Sequence, residues 1–314
     1  MVAWKSLALL ALISPFLTEL MSGNTTISSW FQPVVILFLF LGYSLPVIVI
    51  RELVLRWKLG LFGTLLIGLA YGIYNEGLLA KTLLREVNVP IPAYDHYGYF
   101  FGLNVPWSFT IVPWHALFAV LFPILITHFL VPKQSNIQWL GKKFTNILGI
   151  VLLLFGSLVF FGKNGDGPGS LTQFIVLIVI MAICIIIAKT VYSNEKGFAK
   201  TKFRLSPLFA GMSLQLFYVL LFILAENKIN LLIFFSIVLG GYSLYLFWLK
   251  KKSWISQPSL LLFGIGAYIV YAVPIFGFFA RNALELIIGS VLVEVFVLWL
   301  FFRVKKQTSS LARS

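Results

Sequence analysis

The chain has 314 residues, of which 60% are hydrophobic and only 11% are charged, and its mean hydropathy is +0.97. Water-soluble domains normally carry about 25% charged residues, so this composition excludes a soluble globule and indicates a polytopic membrane protein. The formal net charge is +14. Because the basic residues stand in short connectors between apolar runs, we attribute this charge to membrane orientation rather than to nucleic-acid binding.

Ten apolar runs are long enough to cross a hydrocarbon core of about 30 Å, which takes about 20 helical residues. The predicted spans are 4–21, 32–50, 59–80, 108–131, 144–161, 171–189, 206–225, 229–249, 256–275 and 280–302. We therefore predict an all-α, polytopic transmembrane helix bundle that forms one integral membrane domain over residues 1–314. Residues 1–162 and 170–314 could form two halves of five spans, which would relate them as inverted repeats.

The basic residues of the connectors are distributed asymmetrically. Nineteen lie in one alternating set of connectors and five in the other set, which holds Lys81, Arg85, Lys163, Lys228 and Arg281. Lys and Arg are enriched in cytoplasmic loops. We therefore predict a multi-pass protein of the cell (cytoplasmic) membrane with both termini in the cytoplasm.

The first span has an alternative interpretation as a signal peptide. Lys5 precedes its apolar stretch, and Gly23 is small enough for a cleavage site. Pro15 and Glu19 fit such a segment poorly, so we predict that the span is retained. Cleavage would leave nine spans and the same cytoplasmic C-terminus.

Several ionisable side chains fall inside the predicted spans, where hydrocarbon makes them costly unless they line a cavity or a site. With a rise of 1.5 Å per helical residue, Glu19 lies about 21 Å and Glu76 about 27 Å from the inner face, and His115 lies about 12 Å below the outer surface. Arg281 stands at the outer start of the last span, with Glu285 one turn below it. Four separate spans thus deliver ionisable groups to a similar level.

Further polar residues extend this set. Asn75 adjoins the acid of span 3, Glu294 is the deepest acid, and Asp95 and His96 lie in an aromatic-rich outer loop. We expect an outer-facing polar pocket between spans 1, 3, 4 and 10, roofed by the loop 81–107. The predicted substrate-binding or coupling residues are Glu19, Asn75, Glu76, Asp95, His96, His115, Arg281, Glu285 and Glu294.

Some of these side chains also have structural interpretations. His115 could bond a neighbouring helix, and Arg281 and Glu285 could satisfy each other at i,i+4. At the inner end of span 2, Glu52 and Arg56 have the same spacing. We predict that they form a structural ion pair.

Two classes of function fit this constellation. A ten-span bundle with kinked spans is typical of secondary carriers, so we predict a transporter of a small or amphipathic solute, with proton coupling through Glu19, Glu76 or Glu294 left open. The alternative is an intramembrane metal-dependent hydrolase, or another membrane enzyme, that uses Glu76 and His115, with Glu19 or His96 as a further metal ligand. Paired metal-ligand spacing such as His-Glu-x-x-His is missing, so no metal site is assigned and any cofactor is unknown. The expected partners are the lipid bilayer and a small-molecule or lipid-like substrate, without nucleic acid.

The first 145 residues or so also contain a set of short motifs. They are Ser14-Pro15…Glu19…Ser22-Gly23, Arg51-Glu52-Leu53, Tyr71-Gly72…Glu76-Gly77, Gly102-Leu103-Asn104…Trp107, His115 and Trp139-Leu140-Gly141. Together they resemble a pattern in uncharacterised bacterial polytopic membrane proteins. The resemblance implies a site on the outer side and a second acid before the Glu-Gly pair, where this chain has Asn75. The ten-span layout is also similar to drug/metabolite carriers, in architecture only.

Overall fold

The computed structural model describes residues 3–20, 25–162, 169–193, 205–251, 256–274 and 284–311. Ten helices run through this part of the chain. They are α1 (residues 4–20), α2 (Pro33–Arg56), α3 (residues 61–79), α4 (Val105–Leu130), α5 (Lys142–Phe161), α6 (Leu171–Val191), α7 (Ser206–Glu226), α8 (Leu231–Lys251), α9 (Gln257–Pro274) and α10 (Leu284–Leu311).

Four of these helices contain π-helical turns. The π turns are Phe16–Leu20 at the end of α1, Phe40–Ser44 within α2, Tyr74–Leu79 at the end of α3 and Ala116–Leu121 within α4. Short 3₁₀ turns occupy Ser28–Phe31, Thr82–Leu84, Pro92–Tyr94 and Pro132–Gln134. The strands β1 (Tyr99–Phe100) and β2 (Leu103–Asn104) pair antiparallel in the loop before α4.

The all-helical membrane architecture is confirmed. Within the described residues, seven helices are long and apolar enough to cross a membrane, namely α2, α4, α5, α6, α7, α8 and α10. The three other predicted spans coincide with helices, but α1 and α9 are shorter, and the polar Asn75 and Glu76 reduce the apolar character of α3. The ten-span count and the orientation of the termini therefore stay predictions.

The connectors meet at two ends of the bundle. At the loop end, residues 80–104 lie against other connectors, and Lys228 Nζ, after α7, donates a hydrogen bond to Ala93 O over 2.8 Å. At the opposite end, named the basic end, Arg51 Nη2 of α2 donates to Gln134 O over 3.0 Å. Helices α5, α6 and α8 carry many exposed apolar side chains, as expected for helices that face lipid.

A close helix crossing sets the distance between α3 and α4. A Cβ atom on Gly72 would lie 2.7 Å from Val112 O, and one on Gly68 would lie 2.8 Å from the Cα of Ala116. Small residues allow such approach of two helix backbones in a membrane. The crossing brings the polar end of α3 next to the middle of α4.

Candidate functional site

Three buried ionisable side chains and one half-buried tyrosine, from four consecutive helices, meet near the loop end. Glu19 of α1, Glu76 of α3 and His115 of α4 are 7%, 7% and 2% exposed. Tyr43 of α2 stacks on the His115 ring with centroids 6.2 Å apart, and its hydroxyl lies near the Glu19 carboxylate. Glu76 Oε1 lies 3.4 Å from His115 Nε2. These four residues are called the Glu–His cluster.

Each helix of the Glu–His cluster is π-helical at this level. Glu19, Tyr43 and Glu76 lie within the π turns of α1, α2 and α3, and His115 directly precedes those of α4. A π turn carries one more residue than an α turn, so it changes the direction of the side chains around it. Because π turns are rare and occur frequently at functional sites, their coincidence in four neighbouring helices marks this region as the candidate site.

One oxygen of the Glu76 carboxylate is fixed by a hydrogen bond, and the other faces His115. Its Oε2 atom accepts a hydrogen bond from the Thr82 hydroxyl, and Trp107 Nε1 donates to that same hydroxyl oxygen over 3.0 Å. Trp107 is fixed at the start of α4, where its backbone N–H donates to the Asn104 side chain. This chain of hydrogen bonds orients Glu76 so that Oε1 faces His115.

The His115 imidazole has one satisfied nitrogen. Its Nδ1 atom lies 3.2 Å from the carbonyl oxygen of Ile111, and since a carbonyl only accepts, Nδ1 carries a proton. Nε2 is buried without a hydrogen-bond partner in the described part of the chain. The 3.4 Å approach of Glu76 Oε1 is within ion-pair range but is not aligned as a hydrogen bond. A neutral Nε2 and a carboxylate oxygen both accept, so a proton is needed to join them.

Asn75 belongs to the wall of the site. Its Nδ2 donates to Gly42 O over 3.2 Å and to the Tyr71 hydroxyl over 3.1 Å. The Tyr71 hydroxyl in turn donates to Gly42 O over 2.8 Å. These bonds tie α3 to the π turns of α2, next to Tyr43. At the position where the motifs imply a second acid, the chain therefore has an amide that fixes two helices together.

Asp95 and His96 lie outside the Glu–His cluster. The Asp95 carboxylate accepts a hydrogen bond from the backbone N–H of Val89 over 2.9 Å and so stabilises the loop. The His96 side chain is 68% exposed and faces Glu86, also exposed, over 3.3 Å. The loop residue that reaches Glu76 is Thr82, which the sequence did not single out.

The predicted residues of the last span do not join the Glu–His cluster as a group. Arg281 lies outside the described residues. Glu285 accepts hydrogen bonds from the Ser28 hydroxyl over 2.8 Å and from the Ser28 N–H over 3.0 Å, so it ties α10 to the 3₁₀ turn after α1. Glu294 has a buried Oε1 without a hydrogen-bond partner in the described residues, on a helix that packs against α1 through Phe296 and Phe16.

The polar residues of spans 1, 3 and 4 are buried beside one another, and the expected outer-facing pocket stays a prediction. A cavity of about 540 Å³ lies elsewhere, between α3, α4 and α6 on one side and α7 and α8 on the other, and its lining is almost wholly apolar. It contains Leu69, Val112, Ala116 and Tyr242, and it includes no residue of the Glu–His cluster. Helix α4 contributes to both the apolar cavity and the Glu–His cluster, because the cavity residues Val112 and Ala116 lie on either side of His115 in the sequence.

A second polar cluster, at the basic end, joins α2 to the segment before α5. Arg51 and Glu52 are both fully buried, and Arg51 Nη1 donates to Glu52 Oε1 over 2.6 Å. The Arg51 guanidinium also stacks on Trp139 at 3.5 Å and donates from Nε to His128 Nε2 over 3.2 Å. The predicted pair of Glu52 with Arg56 is therefore wrong, because Glu52 has turned inward to Arg51. Arg51, Glu52, His128 and Trp139 are called the Arg–Glu cluster.

The positions of the possible metal-binding side chains test whether the site could belong to a metal-dependent enzyme. Within the described residues, no group of three or more His, Cys, Asp or Glu side chains is placed to hold a metal ion. Glu76 and His115 supply two donors and Glu19 lies in the same cluster, whereas the exposed His96 lies on the loop surface against Glu86.

The fold and the cluster define the protein as a helical membrane protein with a buried acid–base pair. The chain belongs to an uncharacterized membrane protein family, whose model matches residues 8–313. This match confirms the resemblance noted from the motifs and extends it over nearly the whole chain. Comparison with curated proteins and with solved structures finds no match.

Proposed function

We propose that the protein is a transporter that moves a small amphipathic solute across the cytoplasmic membrane and couples this movement to a proton held by the Glu–His cluster. One observation carries the proposal. Glu76 Oε1 and His115 Nε2 face each other at 3.4 Å in a buried site, and Nε2 has no hydrogen bond within the described residues.

Proton occupancy would change the energy of this site strongly. A carboxylate next to an imidazole lone pair, both removed from water, is costly. A proton on either atom turns the contact into a hydrogen bond between partners of complementary character. The protonated and deprotonated cluster therefore favour different packing of α3 against α4, which is the requirement for coupling.

The π turns supply a means of conformational change. Converting a π turn into an α turn moves one residue out of the turn and shifts the rest of the helix by about 1.5 Å along its axis. All four helices of the cluster contain such turns at one level. A change in the contact between Glu76 and His115 could therefore spread to Tyr43 of α2 and Glu19 of α1.

The apolar cavity supports an amphipathic solute. Its volume of about 540 Å³ lies within the range of small-molecule sites, about 300–1,000 Å³. Val112 and Ala116 line it, on the helix that carries His115. A movement of α4 that follows protonation of the cluster would change the shape of this cavity.

The arrangement of the helices agrees with a carrier. The ten helices coincide with the ten predicted spans, and 19 of the 24 basic residues occupy one set of connectors. We infer from this imbalance that both termini are cytoplasmic and that the loop end faces outward. The Glu–His cluster would then be reached from the outer side.

An intramembrane enzyme is the second candidate. The hydrogen bonds from Trp107 through Thr82 to Glu76, next to His115, form the kind of chain that orients a general acid or base. A metal-dependent hydrolase would use Glu76 and His115 with a further ligand such as Glu19, but within the described residues no group of three or more His, Cys, Asp or Glu side chains is placed to hold a metal ion.

A transport assay tests the proposal. Proteoliposomes with an imposed pH gradient are supplied with tetraphenylphosphonium as an amphipathic cation or octanesulfonate as an amphipathic anion. We expect gradient-dependent uptake of at least one probe by the wild type and its loss in Glu76→Gln and His115→Gln. Glu86→Gln, a matched change at an exposed loop carboxylate, should transport normally. Equal uptake by the wild type and the two cluster variants would contradict the proposal.

The chain's single cysteine reports on the cavity independently of the solute. Cys184 lines the apolar cavity. We expect its rate of reaction with N-ethylmaleimide to differ several-fold between protein equilibrated at acidic and at alkaline pH, after correction for the reagent's own pH dependence on a model thiol in the same membrane. His115→Gln should remove this difference. If the corrected rate is the same at both pH values, protonation of the Glu–His cluster does not change the shape of the cavity.

A further inference from the structure

A second cavity, of about 580 Å³, opens at the basic end. It lies between the end of α2, the start of α5 and the end of α6. Its lining includes Arg56, Trp57, Gln138, Lys142, Asn146 and Lys189. This cavity shares no lining residue with the apolar cavity.

The cavity is strongly positive. Arg56, Lys142 and Lys189 contribute three cations, and its described lining contains no acid. Glu52 lies one turn from Arg56 in the chain, but it is fully buried and accepts hydrogen bonds from Arg51 and from the backbone N–H groups of residues 139 and 140. The described residues thus provide no carboxylate that neutralises the three cations.

Two of the cations are held in position. Arg56 Nη2 donates to the Thr145 hydroxyl over 3.2 Å, and Lys189 Nζ lies over the Trp57 ring, 5.5 Å from its centroid. Neither contact removes positive charge. The cavity is therefore partly organised for an anion before any anion binds.

The start of α5 adds a further attraction for negative charge. Lys142 is its first residue, and Gly141 before it has no side chain that could cap the helix. The first N–H groups of a helix lack partners within the helix and carry a partial positive charge. Phosphate groups bind readily at such ends.

We propose that this cavity binds the phosphate group of an anionic ligand between Arg56, Lys142 and Lys189. Amide groups of Gln138 and Asn146 supply neutral hydrogen-bond donors at its edge. The cavity lies where helices end, so the headgroup of an anionic phospholipid is one source of that phosphate, and basic pockets between helices do bind such headgroups. A soluble phosphorylated compound has the same recognised group.

Native mass spectrometry of the full-length protein in detergent tests this inference. Phosphatidylglycerol is the anionic probe, phosphatidylcholine the zwitterionic probe, and inorganic phosphate is added separately with thermal unfolding as the readout. We expect one phosphatidylglycerol to bind more tightly than phosphatidylcholine. The triple variant Arg56→Gln, Lys142→Gln, Lys189→Gln should weaken binding by at least about tenfold, because it removes all three cations that line the cavity.

Two further variants separate the cavity from general charge and from folding. The control Lys133→Gln, Lys143→Gln, Lys306→Gln removes three exposed cations that do not line the cavity and should bind like the wild type. The double variant Lys142→Gln, Lys189→Gln leaves the Arg56 bond to Thr145 intact, so it should fold normally and still bind more weakly.

The outcomes separate the sources of the phosphate. Binding of phosphatidylglycerol that the cavity variants weaken, without a response to inorganic phosphate, assigns the cavity to lipid. Stabilisation by inorganic phosphate that the cavity variants lose assigns it to a soluble ligand. The inference would be overturned if the wild type and the cavity variants bound both lipids equally and did not respond to phosphate. It would also be overturned if the control variant lost as much phosphatidylglycerol binding as the cavity variants.

Discussion

The Arg–Glu cluster and the Glu–His cluster are built from similar groups but differ in how completely they are bonded. In the Arg–Glu cluster, the Arg51 guanidinium bonds Glu52, His128 and two backbone carbonyls, and the Glu52 carboxylate accepts two backbone N–H groups as well. In the Glu–His cluster, His115 Nε2 and Glu76 Oε1 face each other without a hydrogen bond.

This difference separates a structural role from a functional one. A buried charge with all its bonds made has no reason to move, since every rearrangement breaks bonds that water cannot replace. A buried pair that lacks one proton can gain a bond by acquiring it. The first cluster therefore holds α2 to the segment before α5, and the second is the candidate for proton coupling.

The largest expected effect on the free energy of unfolding comes from breaking the Arg–Glu cluster. Arg51→Leu leaves Glu52 as a buried, unpaired charge, and we expect a loss of about 3–5 kcal/mol in the free energy of unfolding. Thermal unfolding of the purified protein followed by tryptophan fluorescence measures it. The double variant Arg51→Leu, Glu52→Leu removes both charges and should recover much of the loss. An Arg51→Leu protein as stable as the wild type would refute the structural role.

An intermediate effect is expected at the crossing of α3 and α4, which sets the geometry of the Glu–His cluster. Gly72→Ala places a Cβ 2.7 Å from Val112 O, and we expect a cost of about 1–3 kcal/mol with reduced transport. Gly149→Ala is the matched control, because a Cβ there meets no atom within 4 Å. Similar unfolding temperatures for the two variants would show that α3 and α4 tolerate a wider separation.

The smallest effect on stability is expected within the Glu–His cluster itself. Glu76→Gln removes a poorly solvated charge and introduces an amide N–H group that could donate to His115 Nε2, so its free energy of unfolding should change by no more than about 1 kcal/mol while transport is lost. Glu52→Gln makes the same chemical change in the Arg–Glu cluster and should cost clearly more. Equal costs would remove the distinction between the two clusters.

The sequence predicted the candidate site in part. Glu19, Glu76 and His115 were placed at one level from helical rise and the positions of basic residues, and the structure brings them together. The role predicted for them stays a proposal. Asp95 and His96 were included because their loop was expected to cover the pocket, but in the structure it is Thr82 that reaches Glu76.

Other contacts were missed because their partners are far apart in the chain. Arg51 and His128 are 77 residues apart, and the local spacing of Glu52 and Arg56 suggested a different pair. Tyr43 carries no charge and was not selected, although it stacks on His115. Hydrophobic periodicity follows a regular helical repeat, so it does not indicate where π turns interrupt a helix.

The sequence by itself determined the class of the protein and the positions of its helices, because a run of apolar residues in a membrane must satisfy its backbone hydrogen bonds within a helix. Only the tertiary structure decided which polar groups meet and which of them remain incompletely bonded. That outcome depends on helix rotation, on π turns and on close contacts such as Gly72 against Val112. These features arise from packing between distant segments, so no local pattern specifies them.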